Sequence, residues 1–186
     1  DNNIVVWNVE AGEAICGSPA GTDSGKCVQF FNHDDYKIVS GGNYHVRVWD
    51  FDRQNRKLHP LDCHLGQLKR IAQVIAIDDS DTVAYVGTVT GDLLEVNVVA
   101  GKFVKASRQR FSQGIICIAT TADSVLVGTG DGTLARLDKR TLKVQAQAKL
   151  QGKCTSVAID GGGSHLFAGV SGRRMCRMGD STPTQA

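Results

Sequence analysis

The chain has 186 residues, 41% of them hydrophobic and 22% charged, and its 21 Lys+Arg against 19 Asp+Glu leave a formal net charge of +2. That balance is ordinary for a globular domain with a real core and unlike a disordered chain, and the charge is too small for the electrostatic footprint of a nucleic-acid binder. Apolar runs break off far short of the roughly 20 residues that a membrane helix needs, so neither nucleic acid nor membrane is expected as a partner.

The first predicted element is a strand, Asn3-Ile-Val-Val-Trp7, that looks like the third strand of a four-stranded unit whose first two are missing. A complete unit follows: Cys27–Phe31, Tyr36–Ser40, Val46–Asp50 and an outer strand near Lys57–Leu61. The next has Ile71–Ile77, an Asp78–Asp81 turn whose side chains can bond their own backbone, Val83–Val86, Leu93–Asn97 and an outer strand near Phe103–Ala106. The plan repeats with Ile115–Ala119, Val125–Val127, Thr133–Leu137 and Lys143–Ala148, and ends with Thr155–Ile159, His165–Ala168 and Arg174–Met178, whose outer strand is missing. The Ser/Thr/Pro-rich 179–186 predicts a frayed tail.

Two registers fix the period. Trp7-Asn8, Trp49-Asp50, Val96-Asn97, Leu137-Asp138 and Met178-Gly179 close equivalent strands at steps of 42, 47, 41 and 41 residues, and Gly41, Gly87, Gly128 and Gly169 follow apolar strands at steps of 46, 41 and 41. Steps of this size with four short strands per unit are those of WD-repeat propeller blades. The predicted fold class is all-β: an incomplete WD-repeat β-propeller arc of about four blades plus a partial blade. Its blades span 1–26 (partial), 27–65, 66–110, 111–150 and 151–178 (lacking the outer strand). Because end units of such arrays must be capped, the chain reads as a piece of a longer protein whose remaining blades cover its end faces.

No motif argues for catalysis, a cofactor or a metal. Gly128-Thr-Gly-Asp131-Gly132 tempts a phosphate-loop reading, but a strand pattern follows it, where a phosphate loop needs a helix N-terminus. Asp131-Gly132 is a hairpin signal instead. Asp34-Asp35 and Asp78–Asp81 lack the spaced ligands of a calcium loop, and the five histidines assemble no nucleophile and base. The six cysteines form no Cys-x-x-Cys pair; they read as reduced, intracellular thiols, most of them in apolar strands. Cys63-His64 is the one candidate metal fragment, and its neighbours add no ligand. Basic residues gather on connecting segments, and those that could face an acidic partner are Arg53, Arg56, Lys69, Arg70, Lys102, Lys105, Arg108, Arg110, Lys139 and Arg140. The bland alternative is that they solvate the surface.

Several stretches carry a family resemblance: Gly66-Gln-Leu-Lys-Arg-Ile71 with Asp78-Asp79, Tyr85-Val-Gly-Thr88 and Thr90-Gly-Asp-Leu-Leu94; Ala14-Ile-Cys-Gly-Ser-Pro-Ala20; Val46-Arg-Val-Trp49 with Asn55-Arg-Lys57; Phe111-Ser-Gln-Gly114; and Leu150-Gln-Gly152 with Thr155-Ser156. From about Ile4 to about Val170 the chain resembles the first propeller of a family of WD-repeat proteins of motile cilia. The most specific of these stretches, Cys16–Ala20 and Gly66–Ile71, are expected in connecting loops. The resemblance implies a non-catalytic structural protein of the ciliary or flagellar axoneme, a cytoskeletal microtubule inner protein. Its implied partners are tubulin and other luminal proteins of the doublet microtubule. Departures from the WD pattern, with Gly25-Lys26 and Gly152-Lys153 in place of Gly-His and Trp lost from three of five third strands, predict incomplete hydrogen-bond networks inside the blades. A WD-repeat adaptor presenting short peptides for signalling or ubiquitin-ligase-type assembly is the alternative reading.

Overall fold

A computed structural model of the chain describes residues 2–21, 24–161 and 165–171, and the backbone of 176–178. Every regular element among them is a β-strand. β1 (Asn3–Asn8) and β2 (Glu13–Pro19) form a two-stranded sheet; β3 (Gly25–Phe30), β4 (Lys37–Gly42), β5 (His45–Asp52) and β6 (Lys57–Asp62) form the first complete one. β7 (Ala72–Ile77), β8 (Val83–Thr88), β9 (Leu93–Asn97) and β10 (Lys102–Ala106) make the next. β11 (Ile115–Thr120), β12 (Ser124–Thr129), β13 (Thr133–Asp138) and β14 (Val144–Lys149) follow, and then β15 (Cys154–Ile159), β16 (Leu166–Val170) and β17 (Cys176–Met178). All pairings are antiparallel between strands consecutive in the chain.

The first strands of successive sheets pack on one another, β3 on β7, β7 on β11 and β11 on β15. Sheets that share a line of inner strands while their outer strands fan apart are propeller blades, and the fold is an open arc of a WD-type β-propeller. The tail expected at 179–186 and the side chain of Met178 lie outside the described residues. One local expectation fails. Cys16–Pro19 is strand and not loop, because β2 pairs with β1 over Asn3↔Pro19 to Asn8↔Glu13. Gly17, Ser18 and Pro19 read as turn chemistry, yet an outermost strand tolerates them, since among the described residues no strand pairs with its other edge. Pro60 sits in the outer strand β6 for the same reason.

The core lies between blades. Ile38, Trp49, Phe51 and Leu58 of the second blade pack with Ile4, Val6 and Ile15 of the first, while Val39, Val46 and Val48 on the opposite face pack with Ile75, Val86, Leu94 and Val96 of the third. Tyr85 and Leu93 meet Val127, Ala135 and Leu137, and Cys117 and Leu134 meet Cys154 and Ala168. Each blade therefore uses the period-2 alternation of its strands to cover two neighbours. Where a neighbour is lacking among the described residues, the alternation leaves apolar side chains bare: Val5, Trp7, Val28 and Phe30 at one end of the arc and Phe167 at the other.

The repeated glycines have one steric cause. A Cβ on Gly41 would strike Cys27 of its own blade and Ala72 of the next; on Gly87, Val74 and Ile115; on Gly128, Cys117 and Cys154. The glycine is a seat into which the inner strand of the following blade sinks. A register shift recurs beside every seat, between Gly25/Cys27, Ala72/Val74, Ile115/Cys117 and Cys154/Ser156. This bulge turns the residues on either side of it toward the glycines of two different blades.

Gly91 is tighter still. It has a φ of +84°, and a Cβ there would run into the backbone carbonyl oxygen of Phe111, whose N–H already donates to the Gly91 carbonyl at 2.9 Å. Gly91→Ala is therefore expected to destabilise by about 3 kcal/mol, adding left-handed strain to a clash with immobile backbone. Urea unfolding of the variant beside the parent protein measures it.

Candidate partner-binding surface

Antiparallel order places the connections at two ends of the arc. One end carries the turns between second and third strands and the links between blades, residues 43–44, 63–71, 89–92, 107–114, 130–132 and 150–153. The opposite end carries 31–36, 53–56, 78–82, 98–101, 121–123, 139–143, 160–161 and 165. Of the ten basic residues singled out from sequence, Lys69, Arg70, Arg108 and Arg110 lie at the first end and Arg53, Arg56, Lys102, Lys139 and Arg140 at the second. Lys105 is half-buried on β10.

Four of the ten are engaged inside the fold. Arg70 Nε and Arg110 Nε donate to the two oxygens of Asp92 at 2.7 and 2.8 Å, and Thr90 Oγ1 donates to Oδ2 at 2.7 Å. Burial alone would raise the Asp92 carboxyl; Thr90 and the two guanidiniums outweigh it and hold the group below the ordinary carboxylate range. Lys105 pairs with Glu95 at 3.0 Å and donates to the carbonyls of Lys139 and Arg140, tying the third blade to the fourth. Arg56 donates to the carbonyls of Ile15 and Ala14, at 2.9 and 3.2 Å, and so fastens β2 to the second blade. Sequence could not show these roles, because the partners lie on other strands and turns, up to 42 residues away. The side chains of Arg53, Lys69, Lys102, Arg108, Lys139 and Arg140 make no ion pair among the described residues.

Basic residues lie at both ends, but the carboxylates are unevenly divided. At the first end the carboxylates among the described residues are Asp62, Asp92 and Asp131, and each is neutralised: Asp62 by Arg47, Asp92 by Arg70 and Arg110, Asp131 by Lys149 at 2.8 Å. Lys69, Arg108 and Lys153 remain, so among the described residues this end is basic with no carboxylate left unpaired. The opposite end holds the aspartate turns. Asp78 Oδ1 accepts from the N–H groups of Thr82 and Val83, and Asp81 accepts from the N–H groups of Asn32 and His33, bridging two blades. These aspartates are hairpin and inter-blade fasteners.

Inside the blades the hydrogen-bond networks are uneven. Trp49 Nε1 donates to Ser40 Oγ at 2.8 Å in the second blade, with Arg47 stacked 5.2 Å from the ring centroid. The third and fourth use Thr88 with Asp92 and Thr129 with Asp131 at the following turn. Gly128–Gly132 runs from strand into hairpin with no helix after it. Burial and Asp62 together push the Cys63 thiol up to about 11, and among the described residues no group of three His, Cys, Asp or Glu could hold a metal ion. A cleft of about 430 Å³ opens between the fourth and fifth blades, lined by Leu126, Leu134, Ala146, His165 and Leu166. His165 Nδ1 lies 2.9 Å from Asp160, and the Thr121 hydroxyl that lines the cleft is bonded within its own turn to Asp123.

No protein-family model matches the chain. It is 38% identical over 182 residues to cilia- and flagella-associated protein 52 of Chlamydomonas reinhardtii, covering 96% of this chain and 29% of that protein. To the proteins of the same name from Bos taurus and Homo sapiens it is 36% identical over 184 residues, again 96% of this chain and 30% of theirs. The chain thus spans less than a third of the length of the curated relatives it matches.

Proposed function

We propose that this chain, related over nearly all its length to part of cilia- and flagella-associated protein 52, is a non-catalytic piece of an axonemal scaffold, a microtubule inner protein. In this reading the basic end of its arc lies against the acidic tubulin wall of the doublet microtubule, with neighbouring luminal proteins as further partners. The observation that supports it is the uneven division of carboxylates: Lys69, Arg108 and Lys153 crown the end on which every described carboxylate is already paired. A surface of that kind gains association rate and register from a negative partner, and loses both as salt screens it.

The test is co-sedimentation of the full-length chain with stabilised microtubules at low and raised salt. Binding at low salt that weakens several-fold at raised salt is expected, and Lys69→Glu with Arg108→Glu should weaken it by roughly tenfold or more. The same reversal of Lys102 and Arg140, at the opposite end, should leave it within about twofold. Absence of binding at low salt would reject this reading and favour a peptide-presenting adaptor.

A further inference from the structure

The seats beneath the repeated glycines are filled differently, and at one junction two sulfurs share the seat. Over Gly87 sit Val74 and Ile115, and over Gly41 sit Cys27, Ala72 and Ile75. Over Gly128 sit two thiols, Cys117 from the fourth blade and Cys154 from the fifth, with their sulfurs 3.7 Å apart. Gly87 is met by hydrocarbon alone and Gly41 by one sulfur with hydrocarbon, so packing does not require two sulfurs here. Both cysteines are buried, the inner strands that carry them are packed neighbours, and no disulfide joins them. The hydrogen of Gly128 in place of a Cβ is what leaves room for both sulfurs on one side of the sheet.

We infer that Cys117 and Cys154 are a redox-sensitive staple: oxidation joins them in a disulfide that locks the inner strand of the fourth blade to that of the fifth. This holds whether or not the arc binds microtubules. The sulfurs have to close by under 2 Å to reach the roughly 2.05 Å of a disulfide, a movement within reach of side-chain rotation and a slight strand shift. The two sulfurs lie within hydrogen-bond distance, and a bond from the Cys117 side favours the Cys154 thiolate and lowers its pKa, whereas burial pushes the isolated Cys27 up to about 12. With a peroxide as oxidant, the Cys154 thiolate takes one oxygen to become a sulfenic acid, and the other oxygen leaves as hydroxide and is protonated to water. The Cys117 sulfur then displaces the sulfenic oxygen, which departs with the Cys117 proton as a second water. Two electrons pass from the sulfur pair to the peroxide, and two thiols and one peroxide become one disulfide and two waters.

The experiment treats the full-length chain with hydrogen peroxide, blocks remaining thiols with an alkylating agent, and maps disulfide peptides by mass spectrometry without reduction. A Cys117–Cys154 peptide is expected at more than tenfold the yield of any other pairing, with a rise of roughly 5–10 °C in the melting midpoint that a reductant reverses. Cys117→Val, which places at this seat the hydrocarbon found over Gly87, should fold and lose that rise. Separate sulfinic acids on the two cysteines, comparable crosslinks through Cys16, Cys27 or Cys63, or an unchanged pair of alkylated thiols would each overturn the inference. The wild-type peptide map decides the matter even if the variant does not fold.

Discussion

Replacing Asp92 with alanine will destabilise the protein by about 3–5 kcal/mol, the cost of leaving a buried charge without its counter-ion. The carboxylate is 7% exposed and Arg70 22%, whereas Arg110 is 65% exposed. Loss of Asp92 therefore strands Arg70 between blades, together with Thr90, while Arg110 turns to water at little cost. Arg110→Ala should accordingly cost under about 1 kcal/mol. The pH dependence has a definite sign. Because the folded pKa of Asp92 lies below its ordinary 3.8, its stabilisation is fully present above pH 4 and is lost as pH falls through the folded value. Asp92→Asn keeps the shape and removes the titration, so the variant should lose less stability between pH 5 and pH 2 than the wild type does. Thermal melts across that range decide it; parallel acid losses in the two proteins would show that Asp92 is not the group responsible.

Trp49→Ala is expected to cost about 3–5 kcal/mol, the range for emptying a large aromatic site in a core. The indole is fully buried between the first two blades, and its N–H satisfies Ser40, which is itself buried. Trp49→Phe should fall between, because it keeps most of the volume but leaves the Ser40 hydroxyl without its donor. Trp7 occupies the same position one blade earlier and is 59% exposed. In the 186-residue chain Trp7→Ala should cost under about 0.5 kcal/mol. In a longer chain that seats a blade on β1, the same substitution should approach the cost of Trp49→Ala. The pair of measurements thus reports whether that face of the arc is covered.

What could be foreseen from sequence was what a strand writes into its own residues. The Trp-Asp and glycine registers set the blade period, and the apolar alternation located β7 to β9 and β11 to β13 within a residue or two of where they lie. β2 was missed because Gly17-Ser18-Pro19 has turn chemistry, and only its position at a sheet edge makes it a strand. The recurring bulge left no trace, since Lys26, Gln73, Ile116 and Thr155 share no residue type at the skipped positions. Nor could sequence sort the basic residues. Arg70 and Lys69 are neighbours in the chain, yet one is bonded to a buried carboxylate and the other makes no ion pair among the described residues. Their difference depends on a partner on another turn.

The glycine seats also bear on the size of the hub. A side chain at Gly41, Gly87 or Gly128 would hold successive inner strands apart by the thickness of a methyl group or more. Pushing them apart only at their inner edges would make the wedge angle between sheets smaller and widen the axial channel. Since the wedge angles of a closed ring must add to a full circle, a shallower wedge needs more blades to close. By removing one carbon at each of these positions, the chain sets how sharply the arc curves, and with it how many sheets complete the circle.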